Sequence, residues 1–213
     1  TVKRQTDARG KTVCFYYDGH NRLKGKQYRT DQNCLPATPT PAFDVSYTYD
    51  AGANAKGRRT DMTVNASGAL DNKLAWTYDV RGRVDSETRT IAGLAGTYTT
   101  RYTYDSADRL RTMTYPDNEV VTTGYHGTLG LPQSLQSSLN PSASLVAVDA
   151  ATGYDASNRL TAVSFPAGSP NGNTLWRIQE FYPWNQRYGT GRLKSIRVET
   201  APNLGDKLNL HDY

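Results

Sequence analysis

Apolar and polar residues alternate along most of this chain. Leu74, Trp76 and Tyr78 fall on one side of a run, and Ala75, Thr77 and Asp79 on the other. "RVDSETRTI" (83–91) and "RLRTMTY" (109–115) behave alike. A period of two predicts β-strands with two unlike faces. Turn formers separate the runs, as in "DARG" (7–10), "NASG" (65–68), "PDN" (116–118) and "SPNGN" (169–173). No stretch carries a helical period. The Ala- and Leu-containing segment 139–153, "LNPSASLVAVDAATG", reads as strand plus loop. The pattern therefore predicts an all-β protein of antiparallel hairpins.

The hairpins repeat. Aligned on a tyrosine, the chain shows "FYYDGHNRL" (15–23), "YTYDAGANAKGRR" (47–59), "WTYDVRGRV" (76–84), "YTYDSADRL" (102–110), "TGYDASNRL" (152–160) and "EFYPWNQRYGTGRL" (180–193). "TGYHGTLGL" (123–131) is a degenerate copy. The aligned tyrosines Tyr17, Tyr49, Tyr78, Tyr104, Tyr125, Tyr154 and Tyr182 stand 21 to 32 residues apart. Such self-similarity is the signature of a repeat architecture. We read residues 1–213 as one array of about seven loose units. The proline-rich stretch 35–42 is an extended loop between repeats.

The residue before the motif arginine is Asn21, Gly57, Gly82, Asp108, Asn158 or Gly191. These residue types accept a left-handed backbone, so the position predicts a fixed turn. The aspartates Asp18, Asp50, Asp79, Asp105 and Asp155 suit the start of that turn, where a carboxylate accepts nearby backbone N–H groups. Arg22, Arg83, Arg109 and Arg159 lie four residues after their aspartates, close enough across a short loop for a charge-assisted contact. Arg58 and Arg192 come later, after longer turns, Arg192 being counted from Pro183 at the aspartate position. Leu23, Val84, Leu110, Leu160 and Leu193 follow the arginines and should face the motif tyrosines across the hairpin. Stacked through the units, these pairs predict a Tyr–Leu ladder as the core.

Composition makes that ladder necessary. Leu, Ile, Val and Phe make up less than about a fifth of the residues, a level at which disorder is the usual expectation. Against disorder stand 15 Tyr, 3 Trp and a net charge of only +5. A buried Tyr supplies a large ring while its hydroxyl still finds a partner. The positive charge raises the possibility of nucleic acid or an anionic polysaccharide as ligand. Four motif arginines come with their own aspartates, so the repeats add no net charge and no nucleic-acid partner is expected.

The chemistry-bearing residues are few. His20 sits in a turn, His126 replaces a motif aspartate in what reads as a solvated loop, and His211 lies near the end of the sequence. No phosphate loop, HExxH, nucleophile elbow or CxxC is present, so neither an enzyme, a metal site nor a cofactor is expected. Cys14 and Cys34 match no metal spacing and either form one disulfide or remain thiols. "NAS" (65–67) fits a glycosylation acceptor, but a turn explains it equally well. No apolar run is long enough for a membrane-spanning helix. The start, "TVKRQTDARG", reads as the interior of a longer chain.

The compound motif Y-x-Y-D-x-x-[GN]-R-L, with "RTMTYPDNEVVTTGY" and the opening "TDARGKTVCFYYDGHNRL", resembles the Rhs or YD-repeat family. That resemblance implies hairpins joined into a continuous spiralling sheet, a β-shell or fibre segment. It also implies a structural scaffold in an exported or cell-surface bacterial protein, enclosing a C-terminal toxin as in polymorphic toxins and insecticidal toxin complexes. A fibre or adhesion protein binding carbohydrate or partner-cell surfaces, as in wall-associated and teneurin-like members, is the alternative. The expected partners are neighbouring repeats or identical subunits, with an enclosed toxin domain or a surface glycan besides. The D-P-x-G-type core of toxin members is absent, so no protease role carries over. Export in turn implies that Cys14 and Cys34 are bonded.

Overall fold

The computed structural model describes residues 1–66, 70–149, 151–166, 174–185, 191–200 and 207–212. They contain strands in chain order and no helix. Each strand neighbours the ones before and after it in sequence, and the pairings are antiparallel. The fold class is thus all-β, as the alternation predicts. The chain forms two compact units, Thr1–Tyr102 and Thr103–Tyr213.

The first unit holds β1 (Arg4–Thr6), β2 (Thr12–Tyr17), β3 (Leu23–Arg29), β4 (Val45–Tyr49), β5 (Arg59–Ala66), β6 (Leu70–Tyr78) and β7 (Val84–Thr90), and the boundary falls within β8 (Tyr98–Tyr104). The second unit continues with β9 (Leu110–Thr114), β10 (Val120–Tyr125), β11 (Pro132–Ser137) and β12 (Ser144–Ala147). It ends with β13 (Ala162–Phe165), β14 (Leu175–Phe181), β15 (Leu193–Glu199) and β16 (Lys207–Asp212). β12 confirms the strand read within 139–153. Of the acceptor triplet, Asn65 and Ala66 end β5 and Ser67 lies outside the described residues, as does "SPNGN".

Simple alternation misses one recurring device. Among the described residues, five hairpins shift register at the aromatic residue. Tyr17 pairs with Leu23 but Tyr16 with Gly25, leaving Lys24 extra. Thr60, Asp85, Gln133 and Lys194 are the extra residues at the corresponding places. A bulge of this kind bends the returning strand and increases its twist. It therefore re-aims the side chains that follow the motif arginine.

The core departs from the expected Tyr–Leu ladder. Tyr17, Tyr49, Tyr78, Tyr104 and Tyr154 are only half-buried. The deepest positions are mostly small and polar, including Thr12, Thr60 and Ser86 in the first unit and Ser137, Ser164 and Ser195 in the second. Their hydroxyls find partners across the strands. Thr6 pairs with Thr12 at 2.9 Å, Thr77 with Ser86 at 2.7 Å, and Thr88 with Thr99 at 3.0 Å. Thr103 and Thr112 repeat the contact in the second unit at 2.6 Å. Cross-strand hydroxyl pairs of this type stabilise a pleated face and satisfy groups that would be costly to bury alone.

One long loop seals part of the first unit. After β3, the proline-rich stretch folds back over β2 and β3. Cys14 and Cys34 are joined by a disulfide across a sequence separation of 20. Tyr16 lies 5.1 Å from the Phe43 ring, centre to centre, and its hydroxyl donates to Gln27 Oε1 (2.8 Å) and the Leu35 carbonyl (3.1 Å). Gln27 Nε2 donates onward to the Ala42 carbonyl at 2.7 Å. Gly25 makes room for the loop, since a Cβ there would stand 2.3 Å from the Phe43 ring.

Replacing both Cys14 and Cys34 with Ser should lower the stability of the first unit by about 2–4 kcal/mol, because the closed loop no longer restricts the unfolded chain. Urea unfolding followed by Trp76 fluorescence checks this. An unchanged midpoint would show that the loop is held by its side-chain contacts alone.

Candidate functional site

The repeated feature is the motif turn, and its geometry is nearly the same at Asp18, Asp79, Asp105 and Asp155. Asp18 N–H donates to the Arg22 carbonyl (2.9 Å), and Asn21 N–H donates to the Asp18 carbonyl (3.1 Å). Asp18 Oδ1 accepts the N–H groups of His20 and Arg22, both at 2.9 Å, while Oδ2 accepts Arg22 Nε at 2.8 Å. Asp79 with Arg83, Asp105 with Arg109 and Asp155 with Arg159 repeat these bonds. Asn21, Gly82, Asp108 and Asn158 have φ between 60° and 78°. The Gly/Asn/Asp position is thus the left-handed corner that lets the carboxylate see two backbone amides at once.

The arginine does more than close its own turn. Arg22 lies over the Tyr49 ring of the following hairpin at 4.4 Å and donates through Nη1 to Asp50 Oδ2 at 2.7 Å. Arg58 lies 5.6 Å over Tyr78 and donates to the Gly82 carbonyl at 2.9 Å. Arg109 lies 4.2 Å over Tyr125 and donates to the Gly130 carbonyl at 2.9 Å. Arg159 lies 4.2 Å over Phe181 and donates to the Gly191 carbonyl at 2.6 Å. At Gly82 the guanidinium fills the space a side chain would need, since a Cβ would stand 1.9 Å from Arg58 Nη2.

The tyrosine returns the contact. Tyr49 donates to the Leu23 carbonyl (2.8 Å), Tyr78 to the Arg59 carbonyl (2.5 Å) and Tyr125 to the Leu110 carbonyl (2.8 Å). Each acceptor is the residue after the preceding motif arginine. Tyr154 reaches the Pro132 carbonyl at 2.7 Å and Tyr17 the Val2 carbonyl at 2.8 Å. At these three junctions, Arg22–Tyr49, Arg58–Tyr78 and Arg109–Tyr125, neighbouring hairpins are therefore clasped in both directions, arginine forward and tyrosine back. The ring stays half-buried because its hydroxyl must reach a carbonyl beside the neighbouring turn. Across each hairpin Tyr17 faces Leu23, Tyr78 faces Val84 and Tyr154 faces Leu160.

Three units depart from the rule. In the longer second turn Asp50 accepts the Gly57 N–H at 2.6 Å and itself adopts φ 65°. In the degenerate unit His126 takes the aspartate position, but it is buried rather than solvated. Its ring meets Tyr154 edge-on at 6.0 Å, and the turn is closed by the backbone, with His126 N–H donating to the Leu131 carbonyl and Gly130 N–H to the His126 carbonyl. In the last unit the alignment moves by one residue. Phe181 pairs with Leu193 and Tyr182 N–H donates to the Arg192 carbonyl, so Phe181 stands in the tyrosine place and Tyr182 in the aspartate place, rather than Tyr182 and Pro183. Phe lacks the hydroxyl, which is why ring stacking with Arg159 carries that junction. Asp7 makes the same turn with Gly10 as its corner and takes Arg9, two residues on, as its ion partner. The "DARG" signal contains that turn without the motif arginine.

The turn bonds set the electrostatics. The Arg22 amide and side chain hold the Asp18 carboxyl down at about 2 despite opposing desolvation. Arg83 lowers Asp79 and Arg109 lowers Asp105 in the same way. At Asp155 desolvation pushes upward, but the bonds from Arg159 and Ser157 outweigh it and the net shift is downward. Desolvation raises the Tyr49 and Tyr154 hydroxyls, so both remain donors. Among the described residues no cluster of three or more His, Cys, Asp or Glu is placed to hold a metal ion. His20 is exposed in its turn, and no side chain of His211 is described.

No protein-family profile and no curated protein matches the sequence. Solved structures do. The crystal structure of TcdB2-TccC3-Cdc42 matches with a TM-score of 0.63 and 15% identity over 99% of this chain. TcdB2-TccC3 without its hypervariable C-terminal region matches with 0.62 and 16%, and the Photorhabdus luminescens Tc holotoxin pore with 0.62 and 17%. The likeness establishes the fold. It is the sheet of hairpins that the YD-repeat resemblance implies, and this chain spans 10% of the length of the chains it matches.

Tyr125→Phe should cost about 0.5–1.5 kcal/mol, the value of a lost hydroxyl bond, whereas Tyr115→Phe at an exposed ring should cost almost nothing. Thermal melts of the two variants decide this. Equal melts would remove the tyrosine from the clasp.

The turns should also fail in acid. A carboxyl whose folded pKa is depressed stabilises the fold above its unfolded value of about 4 and loses that contribution as pH falls toward its folded value. For Asp18 the loss runs from about 4 down to about 2. Carboxyl NMR titration should show Asp18 inflecting near the lower limit, and circular dichroism should show melting temperatures falling through this window. A normal Asp18 titration would contradict the turn geometry.

Proposed function

We propose that the chain is a structural segment of an exported or cell-surface bacterial scaffold whose hairpin array forms a β-shell around a C-terminal toxin domain. The observation that carries this reading is the reciprocal Arg–Tyr clasp, which spends the repeated motif on joining repeats rather than on reacting with a ligand. Its role is architectural and not catalytic. The fold likeness to toxin-complex structures supports the assignment to a shell. The Cys14–Cys34 disulfide supports export, since such bonds persist in oxidising compartments.

Electron microscopy of the full-length parent protein tests the proposal. A closed hollow particle is expected, with its C-terminal segment resistant to protease until the particle is opened. Filaments, or a C-terminal segment cut as fast as a free peptide, would refute enclosure and favour the fibre reading.

A further inference from the structure

We propose that the Cys14–Cys34 disulfide is a reversible thiol–disulfide exchange site, at which a dithiol reductant releases the proline-rich loop from the first unit while its hairpins stay paired. The two half-cystines sit in unlike surroundings. Cys14 is wholly buried on β2, whereas Cys34 lies within the run 30–40, which is exposed throughout. Cys34 and Leu35 also line a crevice of about 370 Å³, together with Lys3, Phe15 and Tyr17. A thiolate attacks the sulfur it can reach, and exposed disulfides are the labile ones. Cys34 is therefore the sulfur attacked, and the positive charge of Lys3 in the same crevice favours an approaching thiolate.

The disulfide is the covalent tie between loop and sheet. Among the described residues, no backbone–backbone hydrogen bond joins 32–42 to a strand. The other ties are single side-chain contacts. Arg4 Nη1 donates to the Gln32 carbonyl (2.9 Å), Tyr16 to the Leu35 carbonyl (3.1 Å), Lys24 Nζ to Thr40 Oγ1 (3.5 Å) and Gln27 Nε2 to the Ala42 carbonyl (2.7 Å). The Phe43 ring rests on Tyr16. Each such hydrogen bond replaces one made to water and adds little net stability. The Asp18–Arg22 corner and the Arg22–Tyr49 clasp use no residue of the loop. Neither does the β2–β3 register from Thr12 opposite Arg29 to Tyr17 opposite Leu23. Opening the disulfide thus frees the loop as one piece and leaves the hairpins joined.

The exchange runs in two steps. A thiolate of the reductant attacks Cys34 Sγ, a sulfur–sulfur bond forms between them, and the Cys14–Cys34 bond breaks. Cys14 leaves as a thiolate and takes a proton from water. The second thiolate of the reductant then attacks the reductant's own sulfur in the mixed disulfide and frees Cys34 as the second thiol. The dithiol is oxidised by two electrons and the cystine is reduced by two. A disulfide oxidant runs the same steps backwards. Release uncovers Cys14, Tyr16 and Gln27, all of them buried while the loop is closed. An oxidising compartment keeps the loop shut and a dithiol-rich one opens it. The switch does not depend on whether the array encloses a cargo.

Treatment of the full chain with dithiothreitol, without denaturant, tests this. Intact mass should show complete reduction. Chymotrypsin should then cut after Phe43 at least about tenfold faster, while hydrogen exchange shows the β2 and β3 amides as protected as before. A brief pulse of glutathione, quenched in acid and mapped by peptide mass, should leave the mixed disulfide on Cys34. The Cys14→Ser/Cys34→Ser variant should be cut at the fast rate with or without dithiothreitol. Should that variant misfold, the unaltered protein decides alone. A disulfide that resists dithiothreitol, cleavage unchanged by reduction, glutathione on Cys14, or a folded double variant cut as slowly as the oxidised protein would each overturn the proposal. Loss of β2–β3 protection together with the loop would overturn it too, making the bond a staple for the whole unit.

Discussion

Everything in this fold depends on a carboxylate that satisfies two backbone amides and a guanidinium at one tight corner. The corner is possible because the residue before the arginine turns left-handed. The carboxylate then fixes the arginine stem, and the fixed stem aims the guanidinium at the next hairpin. Exposed ion pairs contribute little by themselves. Their value here is positional. The Asp–Arg bond turns a flexible side chain into a strut, and the strut meets a ring whose hydroxyl is anchored to the carbonyl beside the strut's own base.

This arrangement explains how a chain poor in Leu, Ile and Val folds. Long hydrocarbon side chains are replaced by two polar systems. One face has threonine and serine hydroxyls paired across strands, and the hairpin ends have the clasp. The disulfide and the proline-rich loop add a local apolar plug in the first unit, around Tyr16 and Phe43. The cross-strand hydroxyls of such a core are tolerable because they are paired, which makes the fold sensitive to the loss of a partner.

Much of this was legible in the sequence because its causes are local. Alternation gave the strands, and the recurring Gly, Asn or Asp before the arginine gave the turn. The bulges at Lys24, Asp85 and Lys194 were not legible, since an extra residue opposite an aromatic leaves no mark on composition. The tyrosine's partner was also hidden. Backbone carbonyls carry no sequence signal, so the bond from Tyr49 to Leu23 is invisible until the strands are placed. His126 misled for the same reason: its position in a turn suggests solvent, and only the Tyr154 ring packed against it reveals burial. The last unit misaligned because Phe181 and Tyr182 are chemically alike, and only pairing with Leu193 separates them.

The clasp also bears on how such arrays vary in length. It joins one corner to the next and takes no account of the residues between, so spacings from 21 to 32 can coexist. Insertion into a strand-connecting loop leaves both corners intact, as the long stretch holding Phe43 illustrates. Insertion between an aspartate and its arginine needs a rebuilt corner, such as the one around Asp50 and Gly57. Whole hairpins can therefore be lengthened or decorated as modules, whereas a change within a corner has to be met by other contacts, as the units at His126 and Tyr182 show.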